Sequence, residues 1–212
     1  MDEATLRSEI VERCHEMNGN GINHGTSGNI SARCEDGLLM TPSAVPYERL
    51  KPEMIVKMGF DGSWEGDLKP SSEWRFHLDI LKTRRDLNAV VHAHPPHATA
   101  LAIQGRDIPP VHYMVAVAGG RDIRCAPYAT FGTQELSNLA LRALEGRSAC
   151  LLANHGMIAC GFNLAHAMWL AVEVEALARQ YLLALQAGEP RLLTDVELDA
   201  VFEKFESYTK KS

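Results

Sequence analysis

The sequence predicts an α/β protein built as a single-domain sandwich, in which helices flank a central mixed, largely antiparallel sheet. Strand-like apolar runs alternate with helix-like segments along the chain, which is typical of an α/β architecture. Connections such as that between Leu39 and Val56 are too short for a helical crossover, so these strands are expected to run antiparallel. With 212 residues, 46% of them hydrophobic, the chain can build one substantial core, and we expect one domain over residues 1–212.

Helices are predicted where apolar residues recur every three or four positions after a capping residue. Leu6 and Ile10 begin such a stripe in the first helix, and Ser71 or Ser72 can cap the second. Gly188 ends the longest helix, and Thr194 can cap the last. The six predicted helices cover residues 2–17, 73–82, from 95 onward, 133–144, 163–186 and 194–208.

Strands are predicted where short apolar runs are bounded by turn residues. The segment 18–31 is rich in glycine and small polar residues, so it is expected to form a loop that is too polar for the core. The predicted strands cover residues 38–40, 55–58, 90–94, 115–117 and 149–153.

Composition and charge exclude several classes of function. The formal net charge of −6 and the lack of a basic cluster argue against nucleic-acid binding. No apolar run reaches membrane-spanning length and the N-terminus lacks signal-peptide features, so no membrane contact and a cytoplasmic location are expected. The five cysteines show no CxxC spacing and are interpreted as small apolar fillers rather than ligands or nucleophiles.

Three histidines are the strongest chemical signal in the chain. His92 and His94 lie two residues apart in a strand-like run, so their imidazoles are expected to point the same way. His155 opens a turn in a separate segment. Three imidazoles with one open position are typical of catalytic zinc, although cobalt, manganese and iron also suit such ligands. Spacing alone does not exclude other ligands. His97 lies one turn into the next helix and could be mistaken for a ligand.

Glu73 has two interpretations from its position alone. It lies in the first turn of a predicted helix, where a carboxylate can cap the helix or interact with its dipole. Alternatively, it lies beside the metal as a base or fourth ligand. The same helix start, with Ser71 and Ser72, offers N–H and O–H groups suited to a phosphate. The loop 25–29 offers more, because glycine lets backbone amides approach an anion closely.

Several motifs, in order along the chain, carry a family resemblance. They are Gly-Thr-Ser-Gly-Asn-Ile-Ser at 25–31, Thr-Pro-Ser at 41–43, Lys-Pro-Ser-Ser-Glu at 69–73, His-Ala-His-Pro at 92–95 and Asn-His-Gly at 154–156. Together they resemble the zinc-dependent class II aldolases, a family that shares its fold with adducin heads. The branch acting on L-fuculose-1-phosphate is the most similar. Matches at 111–114 and 126–132 extend the resemblance over nearly the whole chain.

The resemblance implies a role for each matching residue at the metal and phosphate end. Zn²⁺ would be held by His92, His94 and His155, with Co²⁺ or Mn²⁺ as substitutes. Glu73 would act as acid and base, and would also ligate the metal when substrate is absent. At position 44 the family commonly has glycine, so the alanine here is a departure. The implied phosphate-binding residues are Gly28, Asn29, Ser43, Ala44, Ser71 and Ser72.

At the aldehyde end, the resemblance implies that a second subunit contributes to the site. Tyr113 matches a tyrosine that reaches the aldehyde oxygen across a subunit boundary. Phe131, Phe205 and Tyr208 match residues that line this end, the last two on a mobile C-terminal tail from about residue 205. The implied assembly is a homotetramer with sites at subunit interfaces, acting on a small sugar phosphate.

The resemblance further implies an aldehyde-lyase. Such an enzyme reversibly cleaves a ketose-1-phosphate between C3 and C4, giving dihydroxyacetone phosphate and a short aldehyde. The metal would stabilise the developing negative charge, Tyr113 would deprotonate the C4 hydroxyl and Glu73 would protonate the carbon. The expected substrate is L-fuculose-1-phosphate or a close analogue. Salvage-pathway substrates, 5-deoxyribulose-1-phosphate and 5-(methylthio)ribulose-1-phosphate, are the alternatives.

Two further classes remain as rivals to an aldolase. A sugar-phosphate 4-epimerase cleaves and recloses the same kind of bond, but the match at Tyr113 and in the tail favours an aldolase. A non-catalytic scaffold of the adducin type would lack a metal site. Retention of His92, His94, His155 and Glu73 argues against that scaffold.

Overall fold

A seven-stranded sheet lies at the centre of the computed structural model, which describes residues 2–209 apart from the side chains of residues 208 and 209. The strand order is β3-β2-β1-β4-β7-β6-β5. The short β5 pairs with β6 in parallel, whereas the other neighbouring strands are antiparallel, which confirms the predicted mixed sheet. The strands are β1 (Asn29–Cys34), β2 (Gly37–Met40), β3 (Val56–Gly59), β4 (Ala89–Ala93), β5 (Cys125–Ala126), β6 (Ala149–Leu152) and β7 (Gly156–Gly161).

Six α-helices lie in the described residues, where the sequence predicts them. Two of the expected caps are present, since the Thr133 side chain accepts from Leu136 N and the Asn163 side chain accepts from His166 N. The predicted cap of the second helix by Ser71 or Ser72 is wrong, because its N-cap residue is Glu73 and no side chain caps it. Short 3-10 helices cover Tyr47–Arg49, Pro52–Met54 and Tyr113–Ala118. The α-helices are α1 (Glu3–Gly19), α2 (Trp74–Thr83), α3 (Pro96–Ile103), α4 (Gln134–Ala143), α5 (Leu164–Ala187) and α6 (Asp195–Thr209).

The helices pack on both faces of the sheet and produce two hydrophobic clusters. Neighbouring residues of β4 separate between them, because successive strand side chains point to opposite faces. Val91 belongs to the cluster that contains α1, α3 and α5, whereas Val90 belongs to the cluster that contains α2 and α4. This arrangement is the predicted sandwich.

The polar segment 18–31 differs from its prediction. Its first two residues complete α1, and its last three begin β1, in the middle of the sheet. Asn29 and Ser31 are 3% and 0% exposed, so the expectation that this segment is too polar for the core is wrong at its end. Both side chains are hydrogen-bonded, which is the condition for burying polar groups at acceptable cost.

Three further elements differ from the sequence prediction, and one of them is the two-residue strand β5, which was not predicted. Residues 115–117 lie in the 3-10 helix Tyr113–Ala118, not in a strand, because His112 accepts from Met114 N at its start and Gly119 ends it with φ +90°. Strand β7 was not predicted either, although its apolar residues 157–160 come soon after His155. A run that is buried on both faces has no alternation that would mark it as a strand.

Neither membrane spanning nor thiol chemistry is indicated by the described residues. No helix there combines the length and apolar character needed to cross a bilayer. The five cysteines are free, and burial raises the pKa of Cys14, Cys150 and Cys160. These three thiols are therefore protonated and unreactive near neutral pH.

Candidate active site

The centre of the sheet positions the first predicted ligand, His92. Strand β4 lies between β1 and β7, so His92 is registered against Asn29 on one side and Ile158 on the other. Its Nδ1–H donates to the carbonyl of Met157 at 2.8 Å. This bond fixes the ring orientation and leaves Nε2 directed at the site, an arrangement common among metal-binding histidines.

The turn between β6 and β7 positions His155. Asn154 has φ +55°, a left-handed conformation that asparagine tolerates better than most residues. Gly156 then passes close to β4, since a Cβ there would lie 2.5 Å from the Ala93 carbonyl oxygen and from Cδ2 of His94. The last residue of the motif 154–156 is therefore required to be glycine for steric reasons. The turn places His155 beside the end of β4.

Glu73 and the three histidines form one cluster. The Glu73 carboxylate lies 3.1 Å from Nε2 of His92 through Oε2, and 3.1 Å from Nε2 of His155 through Oε1. Nε2 of His94 lies 2.9 Å from Nε2 of His92. One ligand atom from each of the four residues lies within 4.8 Å of the others. The predicted ligands thus converge on one point, with both Glu73 and His92 buried.

The donor set fits a divalent cation. Oε1 of Glu73 is buried without a hydrogen-bond partner among the described residues. Three imidazole nitrogens and one carboxylate oxygen are the ligand types that zinc prefers. The alternative of Glu73 as a capping side chain is wrong, because Glu73 precedes α2 but its carboxylate makes no capping bond. Ser71 Oγ instead accepts from Glu73 N at 3.3 Å.

Electrostatics in the cluster couple the carboxylate to the imidazoles. Burial acts to raise the pKa of Glu73, but the charges of the nearby His92 and His155 rings outweigh it, so the net pKa lies well below its usual range. Burial likewise acts to lower the pKa of His92, but Glu73 outweighs it and the net pKa is raised. Burial, followed by the charges of His92 and His155, lowers the pKa of His94 to about 3. His94 is therefore neutral at pH 7.

A chain of buried polar side chains, most of them not predicted from the sequence, leads to Glu73. Asn29 Nδ2 donates to Glu73 Oε2 at 3.0 Å, and Asn29 Oδ1 accepts from Nε2 of His77 at 2.5 Å. His77 Nδ1 lies 2.7 Å from Ser31 Oγ. The available signal was spacing, because His77 follows Glu73 by four residues, about one helical turn.

Backbone pairing assembles the residues predicted to bind phosphate. Ser43 N donates to the carbonyl of Lys69 at 2.9 Å, and Ser71 N donates to the carbonyl of Thr41 at 3.0 Å. The segments 41–43 and 69–71 therefore lie side by side. Ala44 follows with φ +58°, the left-handed region that favours glycine. This conformation gives a physical reason for the glycine that the family commonly has there.

Gly28 and Asn29 lie at the start of β1, beside the ligand strand. A Cβ at Gly28 would lie 2.7 Å from the carbonyl oxygen of His92, so only glycine allows this approach. The side-chain amide of Asn29 is engaged with Glu73 and His77. Phosphate binding by these residues stays a prediction.

A cavity of about 420 Å³ opens beside the cluster. Its wall carries the hydroxyl groups of Thr26, Ser27 and Ser72 and the exposed rings of Tyr128 and Phe131. It thus offers both hydroxyl groups and aromatic rings to a substrate. Ser72 and Phe131 were predicted from the sequence, whereas Tyr128 was not. The remaining lining residues are Glu73, His94, Ala129, Asn154 and His155.

Four residues named from the sequence lie elsewhere or beyond the description, and Phe205 is one that does not line this cavity. Tyr113 is half-exposed on its 3-10 helix and does not line this cavity. Its ring lies 6.3 Å from that of Phe205, on α6. The side chain of Tyr208 lies outside the described residues. His97 does not join the cluster, since its Nδ1 lies 2.6 Å from Glu175 Oε1.

Comparison with known proteins gives a consistent family. A family model described as "Class II Aldolase and Adducin N-terminal domain" matches residues 8–182. A 5-methylthioribulose-1-phosphate/5-deoxyribulose-1-phosphate aldolase of Rhodospirillum rubrum is 55% identical over 203 residues, covering 96% of this chain and 92% of its own. An L-fuculose phosphate aldolase of Escherichia coli is 50% identical over 209 residues, covering 98% and 97%.

A solved structure agrees with these matches. An L-fuculose 1-phosphate aldolase superposes with a TM-score of 0.92 at 41% identity, over 95% of this chain and 96% of that one. The matched segment of the family model includes Glu73 and all three histidines of the cluster. The chain therefore belongs to the class II aldolase and adducin family, and it is an aldolase, a lyase that cleaves carbon–carbon bonds.

Proposed function

We propose that the protein cleaves a ketose-1-phosphate between C3 and C4, releasing dihydroxyacetone phosphate and a short aldehyde. The observation that carries this proposal is the Glu73 carboxylate, buried among three converging imidazoles at the edge of a cavity of about 420 Å³. Zinc is the proposed cation, on His92, His94 and His155. Bound there, it would act as a Lewis acid toward the substrate carbonyl.

The chain's own residues supply binding and proton transfer in this proposal. Glu73 faces the reacting carbon and gives or takes a proton at C3. Tyr113 of a neighbouring subunit takes the proton of the C4 hydroxyl as the bond breaks. The residues at 28–29, 43–44 and 71–72 hold the phosphate, whose binding energy serves to position the reacting bond.

For the aldehyde half, we propose 5-deoxyribulose-1-phosphate and 5-(methylthio)ribulose-1-phosphate as the main substrates. The relative named for both compounds is 55% identical, against 50% for the one named for L-fuculose phosphate. The exposed rings of Tyr128 and Phe131 suit a methyl or thioether group, since sulfur contacts aromatic edges favourably. L-Fuculose-1-phosphate is the second candidate, supported by the solved structure with the same fold.

Turnover of the three phosphates tests the substrate. Dihydroxyacetone phosphate is detected by a coupled NADH-dependent dehydrogenase, and kcat/KM is compared among substrates. We expect both ribulose phosphates to exceed L-fuculose-1-phosphate by roughly tenfold or more, the scale at which small apolar groups are discriminated. The reverse ranking would make L-fuculose-1-phosphate the proposed main substrate. Epimerised substrate without free dihydroxyacetone phosphate would instead indicate a 4-epimerase.

Metal analysis and one substitution test the mechanism. Glu73→Gln should keep zinc near the wild-type stoichiometry but slow proton exchange at C3 of dihydroxyacetone phosphate by roughly two to four orders of magnitude. His94→Ala should lose zinc and activity together. Unchanged exchange in Glu73→Gln would contradict the role of the carboxylate, and full zinc content in His94→Ala would contradict the ligand set.

The proposed assembly is a cytoplasmic homotetramer with sites at subunit interfaces. Support comes from the family resemblance and from the position of Tyr113 away from the cavity of its own chain. Size-exclusion chromatography with light scattering measures the assembly directly.

A further inference from the structure

Donors in the buried chain from Ser31 to Glu73 all point one way. A carboxylate only accepts hydrogen bonds, so the Asn29 amide must turn Nδ2 toward Glu73 and Oδ1 toward His77. His77 must then donate from Nε2, which leaves Nδ1 to accept from the Ser31 hydroxyl. Proton positions are therefore fixed at each link, and the hydrogen bonds polarise one another toward Glu73.

The two outer members of the chain, Ser31 and His77, are too deeply buried to act on substrate themselves. Ser31 and His77 are 0% exposed, and neither lines the cavity beside the cluster. The His77 ring stacks on Phe76, with centroids 4.7 Å apart. An apolar side chain would fill this space without the cost of burying a polar ring. A polar ring at this position thus needs a reason beyond packing.

The Glu73 carboxylate supplies that reason, because its two oxygens have different surroundings. Oε2 accepts from Asn29, whereas Oε1 has no hydrogen-bond partner among the described residues. Without a donor from His77, the Asn29 amide could rotate and present Oδ1 to the carboxylate, which would repel it. The hydrogen bond from His77 prevents this rotation, so Nδ2 of Asn29 stays directed at Oε2 of Glu73.

We propose that His77 is a positioning residue which, through Asn29, fixes the orientation of the Glu73 carboxylate for proton transfer, with Ser31 setting the tautomer of His77. This inference rests on the proposed function, in which Glu73 is the acid and base. His77 itself touches neither substrate nor metal.

Three substitutions separate positioning from packing. His77→Leu removes the donor to Asn29, and Ser31→Ala removes the outer link. Ser137→Ala is the matched control, because Ser137 is also a fully buried serine with one short side-chain bond, to Asp79 Oδ2 at 2.6 Å, and it lies outside the chain. The main readout is proton exchange at C3 of dihydroxyacetone phosphate by the zinc-loaded enzyme, alongside zinc content, the KM for this compound and the melting temperature.

We expect His77→Leu to slow the exchange by about 10- to 100-fold, the usual effect of removing a partner behind a site residue. The KM for dihydroxyacetone phosphate should change by less than about threefold, because the proposed phosphate contacts at 43–44 and 71–72 remain. Ser31→Ala should slow exchange by roughly three- to tenfold, and Ser137→Ala should leave it unchanged. His77→Gln, which can offer an N–H to Asn29, should restore exchange to within about threefold of wild type.

A second readout does not depend on activity. In the metal-free protein, NMR follows solvent exchange of the Asn29 side-chain N–H groups. This exchange should be at least about tenfold faster in His77→Leu than in wild type or Ser137→Ala, because the amide is no longer held.

The outcomes that would overturn the inference are distinct from failure of the proposed function. A wild-type enzyme with zinc but no C3 exchange would refute the proposed function. Wild-type exchange with an equal rate in His77→Leu, or equally slow His77→Gln and His77→Leu, would refute positioning. If His77→Leu does not fold, Ser31→Ala decides, since a rate equal to that of Ser137→Ala would refute the inference as well.

Discussion

The two oxygens of Glu73 have different tasks in the geometry of the site. Oε2 is held by Asn29, at 3.0 Å, and lies 3.1 Å from Nε2 of His92. Oε1 lies 3.1 Å from Nε2 of His155 and has no hydrogen-bond partner among the described residues. Because one oxygen is anchored, the other keeps a defined direction. We therefore expect Oε1 to be the oxygen that exchanges the proton with substrate.

The backbone of Ala44 is strained, and relief of this strain should change the free energy of unfolding. Its φ of +58° places an alanine in the left-handed region, which costs roughly 1–2 kcal/mol for a residue with a Cβ. Ala44→Gly removes that cost but adds about 0.4–1 kcal/mol of backbone entropy to the unfolded chain. We expect a net gain of about 0.5–1 kcal/mol in the free energy of unfolding, measured by urea denaturation of the metal-free protein.

Asn154 provides the control for this prediction, because it has nearly the same φ, +55°. Asparagine tolerates the left-handed region, so Asn154→Gly has little strain to relieve. That variant should be neutral or less stable than wild type. Equal stabilisation of both variants would mean that relief of strain at Ala44 is not the cause.

At the scale of elements, the close approach between the 154–156 turn and β4 holds two histidines in place. Gly156→Ala would put a Cβ 2.5 Å from the Ala93 carbonyl oxygen and from the His94 ring. Relieving this contact requires a shift of the turn or of His94, at a cost of about 1–3 kcal/mol. We expect zinc affinity, measured by competition with a chelator, to fall by roughly 10- to 100-fold.

Gly19→Ala is the matched control for Gly156→Ala. A Cβ at Gly19, the last residue of α1, would meet no atom within 4 Å. Its zinc affinity should therefore equal that of wild type, and its free energy of unfolding should be the same or up to about 1 kcal/mol higher, because alanine lowers the entropy of the unfolded chain. Wild-type zinc affinity in Gly156→Ala would show that the turn adjusts without moving either histidine.

Helix α2 carries a histidine that makes stability depend on pH. Burial lowers the pKa of His77 from 6.5 to about 3, so the folded chain keeps it neutral while the unfolded chain protonates it below pH 6.5. Stability from this group is thus complete above pH 6.5 and is lost as pH falls toward 3. The free energy of unfolding of metal-free His77→Gln should therefore depend less steeply on pH than that of the wild type. The two slopes should differ by at most about 1.4 kcal/mol per pH unit.

Urea denaturation at a series of pH values checks this prediction. The wild-type and variant curves should run parallel above pH 7 and converge as the pH falls below 6.5. Curves that stay parallel down to pH 4 would mean that His77 titrates alike in both states.

Local signals made the helices predictable, whereas the centre of the sheet depends on distant partners. Thr133 and Asn163 cap their helices through contacts within three residues, so sequence alone places them. Strand β1 contains Asn29 and Ser31. These polar side chains can be buried because they form hydrogen bonds with Glu73 and His77, which belong to a distant segment of the chain. No local pattern encodes that pairing, and for His77 the one-turn spacing from Glu73 was the available local signal.

At the scale of the whole molecule, one chain assembles only part of the proposed machinery. Its own cavity includes Glu73, His94 and His155, but Tyr113 lies outside it. The proposed role of Tyr113 therefore requires a second subunit whose 3-10 helix faces this cavity. If one site takes Glu73 and Tyr113 from different subunits, two inactive variants can restore each other's activity. This is impossible when one chain supplies the whole site.

Mixing two inactive variants tests the shared site. Glu73→Gln lacks the acid and base, and Tyr113→Phe lacks the proposed acceptor for the C4 hydroxyl proton, so each homomer should have little cleavage activity. Subunits dissociated, mixed in equal amounts and reassembled should regain about a quarter of wild-type activity, because random pairing gives that fraction of sites both intact residues. The measurement is cleavage of the best phosphate substrate by the coupled assay.

The control is the same mixing with a doubly substituted chain. A subunit carrying both Glu73→Gln and Tyr113→Phe supplies neither residue, so mixing it with Tyr113→Phe leaves every site without Tyr113 and should restore no activity. If the first mixture also stays inactive while wild-type subunits regain activity after the same treatment, Tyr113 does not serve a neighbouring subunit. It would then have to reach the cavity of its own chain, which requires movement of the 3-10 helix away from Phe205.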